Sequence, residues 1–144
     1  MSIAIKNATI ISGMGNPWFK GDIHIAGDRI DEVGAIGSTR GEETISARGL
    51  VVSPGFIDIH SHTDFRLLVN PRAESKIMQG VTTEVFPNCG SGPAPAIGEV
   101  VPKLEEEIRK FGLKLNWSTL AEFHKRIEEK GTAINVAMTV PHAN

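Results

Sequence analysis

One cysteine, Cys89, is all the thiol the 144-residue chain carries, so no disulfide can form within it. A reducing, cytoplasmic setting is the expectation that follows. No run approaches the ~18 consecutive apolar residues of a membrane span. The opening Met1-Ser2-Ile3-Ala4-Ile5-Lys6 lacks the basic start and long apolar centre of a secretory leader. A formal net charge of −2 leaves no basic surplus for nucleic acid or for an anionic membrane surface. Gly90 to Ala96 is rich in glycine and proline, but no Gly-Lys-Ser/Thr follows, so it is no phosphate loop. A serine nucleophile elbow is absent too, as are internal repeats and low-complexity tracts.

What remains is an ordinary soluble composition, 40% hydrophobic and 22% charged, on a chain long enough for one domain and a buried core. Residues 1–53 read as short strands. Ile3 and Ile5 alternate with Ala4 and Lys6, and Ala8, Ile10 and Ser12 continue a two-residue period on a second run. Gly13 to Pro17 is a turn cluster. Asp22 to Ile25 and Arg29 to Val33, joined through Ala26-Gly27-Asp28, form a predicted hairpin. Gly34 to Glu43 reads as a loop, and Thr44–Ala47 and Leu50–Val52 as further strands. This is a small all-β leader.

From residue 54 to 144 the pattern becomes strands alternating with helices. Phe56–Ile59 is a predicted buried strand. Asn70 is a predicted N-cap, with Pro71 at the first helical position and Gly80 ending the helix at Gln79. Val81–Phe86 is rich in β-branched residues and reads as the second strand. Pro102 opens a helix whose Leu104, Ile108 and Phe111 share a face, while the run Lys103 to Glu107 places its charges in water. Thr119 and Glu122 fit a capping box for a second helix that closes at Gly131, with Leu120, Phe123 and Ile127 as its apolar stripe. Asn135–Val140 is the third strand. The β-α-β-α-α-β order predicts parallel strands, in a barrel or an open sheet. Three such units do not close a barrel of eight, so the sequence reads as a truncated piece, or as one chain of several that assemble.

The chemistry concentrates where the first strand ends. In Pro54-Gly55-Phe56-Ile57-Asp58-Ile59-His60-Ser61-His62-Thr63-Asp64 two histidines stand at i, i+2. On a strand, alternate side chains share a face, with Cα atoms about 6.5–7 Å apart. Two imidazoles so placed can converge on one metal ion at about 2.0–2.1 Å each. Cys89, just past the second strand, has two readings open to it: a thiolate ligand on the same face, or a small buried apolar side chain. Asp58 and Asp64 read as supporting or solvated acids rather than ligands, His24 as a surface residue of the hairpin and His124 as solvated. His142, at the end of the third strand, faces the site or serves local structure.

Val52-Ser53-Pro54-Gly55-Phe56-Ile57-Asp58-Ile59-His60-Ser61-His62 resembles the first barrel strand of the amidohydrolase superfamily. Gln79-Gly80-Val81-Thr82-Thr83-Glu84-Val85-Phe86-Pro87-Asn88-Cys89-Gly90 resembles, more narrowly, the D-aminoacylases (N-acyl-D-amino-acid deacylases), and Asn135 to His142 is similar to that family's third strand. The resemblance implies an N-terminal β-sandwich portion over 1–53 and, over 54–144, the first three β/α units of a metal-dependent hydrolase TIM barrel. It implies Zn2+ held by His60, His62 and the family's cysteine ligand, Cys89. It also implies a small N-acyl amino acid as substrate. The family's later histidine ligands and its general-base aspartate fall on strands this sequence does not include, so it implies no catalytic residue here and no activity for these 144 residues alone. Two other readings stand beside it: a hydantoinase- or dihydroorotase-like cyclic amidase, against which Asn88-Cys89-Gly90 argues, and a non-catalytic metal-binding module paired with a complementing chain.

Overall fold

The computed structural model describes residues 1–35, 37 and 39–144. The chain forms two compact units, Met1–Pro54 and Gly55–Asn144.

In the first unit, β1 (Ser2–Ile10) is the hub of a five-stranded mixed sheet. β2 (Phe19–Ala26) pairs with it antiparallel, β3 (Arg29–Gly34) continues beyond β2, and β4 (Glu43–Ser46) and β5 (Val51–Val52) run parallel to β1 on its other side. The hairpin turns at Gly27-Asp28, as predicted. The two runs expected before Ser12 are a single strand. Asn7, with φ +61, bulges between Ile5 and Ala8, and the ladder resumes beyond it. The predicted Gly34–Glu43 loop includes Ile36 and Ser38, which lie outside the described residues. Ala4, Ala8, Ile10 and Ile23 are buried, and so is one carboxylate, Asp22. Burial alone would push its carboxyl up, but the N–H groups of Asn7 (2.8 Å) and Gly37 (2.7 Å), together with Lys6, hold it below the usual carboxylate range. That carboxylate therefore pins the bulge.

The second unit is built on three parallel strands in the order β6 (Phe56–Asp58), β7 (Val81–Phe86), β8 (Asn135–Met138). Between β6 and β7 lie two single-turn helices, α1 (Arg66–Val69) and α2 (Glu74–Ile77). The one helix expected after Asn70 is thus replaced. Asn70 closes α1 with φ −126 and ψ 84, because the residue before a proline is driven out of the helical region. Its side-chain amide donates to Glu74 Oε2 instead of capping. Ala73 then adopts a left-handed conformation before α2 begins.

Between β7 and β8 lie α3 (Val100–Arg109) and α4 (Leu120–Lys130). α3 starts two residues before Pro102, which sits in the first turn, where a missing N–H removes no helical bond. Phe111 falls beyond that helix and packs edge-on against Phe65, 5.6 Å between centroids. The capping box of α4 and its closure at Gly131 are as predicted.

Leu104 and Ile108 from α3, and Phe123 and Ile127 from α4, meet Phe65, Leu67, Phe86, Trp117 and Ile134 in one core. Each large side chain so buried is worth about 1.5–3 kcal/mol. Trp117 satisfies its ring N–H on the Pro93 carbonyl at 2.7 Å. The expectation of a buried first strand fails. Phe56, Ile57 and Ile59 are 61–74% exposed, and among the described residues β6 pairs with β7 alone. The third strand also stops earlier than predicted, at Met138.

Candidate metal centre

β6 ends at Asp58, and the chain bends at Ile59 and His60. His60 and His62 therefore do not occupy alternate positions of a strand, as the spacing suggested. Both lie in irregular backbone just past the strand's C-terminal end. Two hydrogen bonds impose this path: the His60 N–H donates to Asp58 Oδ1 at 3.1 Å, and the Ser61 N–H to the Val85 carbonyl at 3.2 Å. The two rings still meet, with centroids 5.5 Å apart at 58°.

Cys89 arrives three residues beyond the end of β7. It has φ +59 and is followed by Gly90 at φ +85. Asn88 ties this turn to the histidine segment, its side-chain amide donating to the Ser61 carbonyl (3.1 Å) and the Val85 carbonyl (2.9 Å). Cys89 Sγ lies 3.4 Å from His60 Nε2, and the donor atoms of His60, His62 and Cys89 all fall within 4.8 Å of one another. All three residues are exposed, and among the described residues no other such cluster of His, Cys, Asp or Glu forms.

The donor set fits zinc. Tetrahedral bonds of about 2.05 Å to nitrogen and 2.3 Å to sulfur put N and S about 3.5 Å apart, against the 3.4 Å found.

Beneath the rings lies a charged node. Glu84, in the middle of β7, is fully buried. Its Oε1 accepts from Ser61 Oγ (2.7 Å) and Thr63 Oγ1 (2.8 Å) and pairs with Lys76 Nζ (2.9 Å). Lys76, from α2, also donates to Asp58 Oδ2 at 2.6 Å. The Asp58 and Glu84 carboxylates hold the Lys76 ammonium above its usual range. In turn Lys76, then the His60 N–H, holds Asp58 below the carboxylate range.

Asp58 is thus a paired supporting acid rather than a solvated one. Asp64, at φ +47, has a buried Oδ1 without a partner among the described residues. Burial pushes its carboxyl up to about 6, against the pull of His62 and Arg66. Lys76 and Glu84 escaped the sequence reading. The available signal was a glutamate in the middle of an otherwise apolar and β-branched strand.

The remaining histidines stay apart from the cluster. His142 is exposed and packs its ring over Gly90, where a Cβ would lie 2.7 Å from its Cε1. His24 is half-buried and pairs with Asp31 at 3.0 Å, and His124 is half-buried on α4. His24 thus lies at the surface of its hairpin, paired with an exposed acid, while His124 is less solvated than expected.

The chain is similar to known proteins. The family model described as "Amidohydrolase family" matches residues 43–105. An N-acyl-D-aspartate deacylase of Alcaligenes xylosoxydans xylosoxydans is 36% identical over 138 residues, covering 96% of this chain and 28% of that protein. The crystal structure of N-acyl-D-glutamate deacylase from Bordetella bronchiseptica, complexed with zinc and a phosphonate mimic of the tetrahedral intermediate, superposes with a TM-score of 0.81 at 31% identity. That match covers 99% of this chain and 30% of the other. A crystal structure of D-aminoacylase matches at 0.82 and 34%, over 97% of this chain and 29% of that one. The chain thus spans under a third of the length of these relatives. Since nearly the whole chain takes part in the matches to these three relatives, it belongs to the amidohydrolase superfamily, in its D-aminoacylase (N-acyl-D-amino-acid deacylase) family.

Proposed function

We propose that His60, His62 and Cys89 bind a zinc ion, and that a protein of the relatives' length uses this site to hydrolyse the amide of N-acyl-D-amino acids. The observation that carries the reading is the 3.4 Å approach of Cys89 Sγ to His60 Nε2, with His62 alongside. Supporting it, the relatives are named for N-acyl-D-aspartate and N-acyl-D-glutamate, and one was crystallised with zinc.

When bound, zinc supplies Lewis acidity, drawing electron density from a carbonyl oxygen and acidifying water. The chain's own residues hold that chemistry in place. Two imidazole nitrogens and one cysteine sulfur offer a soft N/S donor set. Asp58 fixes the His60 backbone, and Asn88 fixes the Cys89 turn to Ser61. Asp58 and Glu84 are both committed to Lys76, so neither is free to shuttle a proton. The resemblance to the deacylases implies a general-base aspartate on a later strand, outside these residues, and with it an inactive state for the 144 residues alone.

The three parallel strands, with every donor just past a strand's C-terminal end, are read as the first three β/α units of a TIM barrel. Met1–Pro54 is read as a β-sandwich portion. The open edge of β6 gives further strands, in the same chain or a complementing one, a place to pair. No described helix is long and apolar enough to cross a membrane, and the single cysteine supports a cytoplasmic setting.

Metal analysis of the purified chain beside His60→Ala/His62→Ala and Cys89→Ala variants tests the site. Zinc content falls in each variant if the reading holds; unchanged content in all of them removes it.

A further inference from the structure

The segment that carries the two histidines alternates. His60 and His62 are exposed, Ser61 is 3% exposed, and Thr63 is half-buried. The backbone here is irregular, so no strand pleat sets these directions. Whatever grips Ser61 and Thr63 from within therefore fixes the outward presentation of His62 between them. That grip is a single atom: Glu84 Oε1 takes both hydroxyls, at 2.7 and 2.8 Å. Lys76 Nζ completes the node, 2.9 Å from the same oxygen and 2.6 Å from Asp58 Oδ2, while Asp58 Oδ1 holds the His60 N–H. One ion pair, its carboxylate buried and its ammonium half-buried, thus reaches residues 58, 60, 61 and 63.

Burying a carboxylate such as Glu84 in an ion pair is a poor way to gain stability, since apolar groups of the same volume often do as well or better. Its geometric value here is that the hydrogen bonds are directional.

Resting on the zinc reading above, we infer that Lys76 and Glu84 are positioning residues of the metal centre: their ion pair, through Asp58, Ser61 and Thr63, aims the imidazoles of His60 and His62 at Cys89. Neither residue touches the donor atoms. Both act through the backbone of 58–63. A purely structural pair would affect folding and leave the metal's coordination as it is.

The test titrates Co2+ into the metal-free 144-residue chain, reading the thiolate-to-cobalt absorption and the visible ligand-field bands, with far-UV circular dichroism as the check on folding. The parent develops both sets of bands. Lys76→Met, folded, requires ~10–100-fold more cobalt and shows altered ligand-field bands. Lys76→Arg, which keeps a cation at the node, restores affinity to within about threefold of the parent. Thr63→Ala leaves the ion pair intact and removes one tether, so its loss is smaller but measurable.

Folded Lys76→Met and Thr63→Ala variants with the parent's affinity and spectrum overturn the inference. Should Lys76→Met fail to fold, Thr63→Ala decides alone, and unchanged binding overturns it again. A parent chain that never develops the thiolate band brings down the zinc reading itself, an outcome distinct from variants that match a competent parent.

Discussion

Cys89 Sγ sits 3.4 Å from His60 Nε2 although 29 residues separate them. In the parallel register of β6 on β7, Asp58, the last residue of β6, stands opposite Glu84, two residues before β7 ends. The Ser61 N–H then reaches across to Val85, and Asn88 reaches back to Ser61, so the two loops are stitched above the sheet. The thiol and the imidazole meet because their strands are parallel neighbours and the segments just past them are tied to each other.

That juxtaposition makes Cys89 chemically addressable. As the chain's sole cysteine and an exposed one, it gives an unambiguous alkylation signal. A thiolate engaged with zinc is withdrawn from electrophiles. Added zinc is expected to slow iodoacetamide modification of Cys89 by about tenfold or more, and His60→Ala to abolish most of that protection. Mass spectrometry of timed reactions reads the outcome. Equal rates with and without zinc in the parent count against ligation.

The purified 144-residue chain is expected to show no turnover of N-acetyl-D-glutamate or N-acetyl-D-aspartate. Its acids nearest the ligands are Asp58 and Glu84, both bound to Lys76, and Asp64, which has one oxygen sealed from solvent. A general base has to reach the proton it takes. Liberation of free D-amino acid in proportion to added zinc, and lost with Cys89→Ala, would show that the base lies within these residues after all.

Much of this site was legible in the sequence, for physical reasons. Metal donors must be particular residue types, so His60, His62 and Cys89 stood out against a background with one thiol and few histidines. Capping chemistry is equally local, which is why Thr119, Glu122 and Gly131 mark the ends of α4 correctly. The failures are tertiary. Phe56 and Ile57 look like core residues by type, yet their burial depends on a neighbouring strand that the described residues do not supply. Pro71 looks like a helix start, but Asn70 and the left-handed Ala73 split the segment into two turns. Lys76 and Glu84 meet only through the β6–α2–β7 arrangement, so spacing could not pair them.

Gly90 tests how tightly the thiol is held. Its φ of +85 is a conformation that L side chains adopt at a cost of about 1–2 kcal/mol, and an added Cβ would stand 2.7 Å from His142 Cε1. The Ala143 N–H also bonds to the Gly90 carbonyl at 2.7 Å, so the strand-end loop cannot shift freely. Gly90→Ala is expected to destabilise the chain by at least about 1 kcal/mol in urea titrations and to weaken zinc binding by displacing Cys89 next door. Gly90→Ala combined with His142→Ala relieves the steric part and leaves the backbone part. A double variant no better than the single one would mean that His142 contributes nothing to the strain.

Glu122 gives the chain a pH signature away from the metal site. Its Oε2 accepts the N–H groups of Ser118 (2.7 Å) and Thr119 (3.0 Å) and the Ser118 hydroxyl (2.8 Å), which hold its carboxyl down to about 2 from an ordinary 4.5. These donors favour the ionised form, and only the folded state assembles them. The folded pKa therefore lies below the unfolded one, so the stabilisation is complete above pH 4.5 and drains away as pH falls towards 2. Glu122→Gln keeps the shape and drops the charge. It is expected to lower the urea midpoint at pH 7, with the gap to the parent narrowing steadily between pH 4.5 and 3. A gap that stays constant over that interval would mean that the cap acts through shape alone, with the carboxylate's charge contributing nothing.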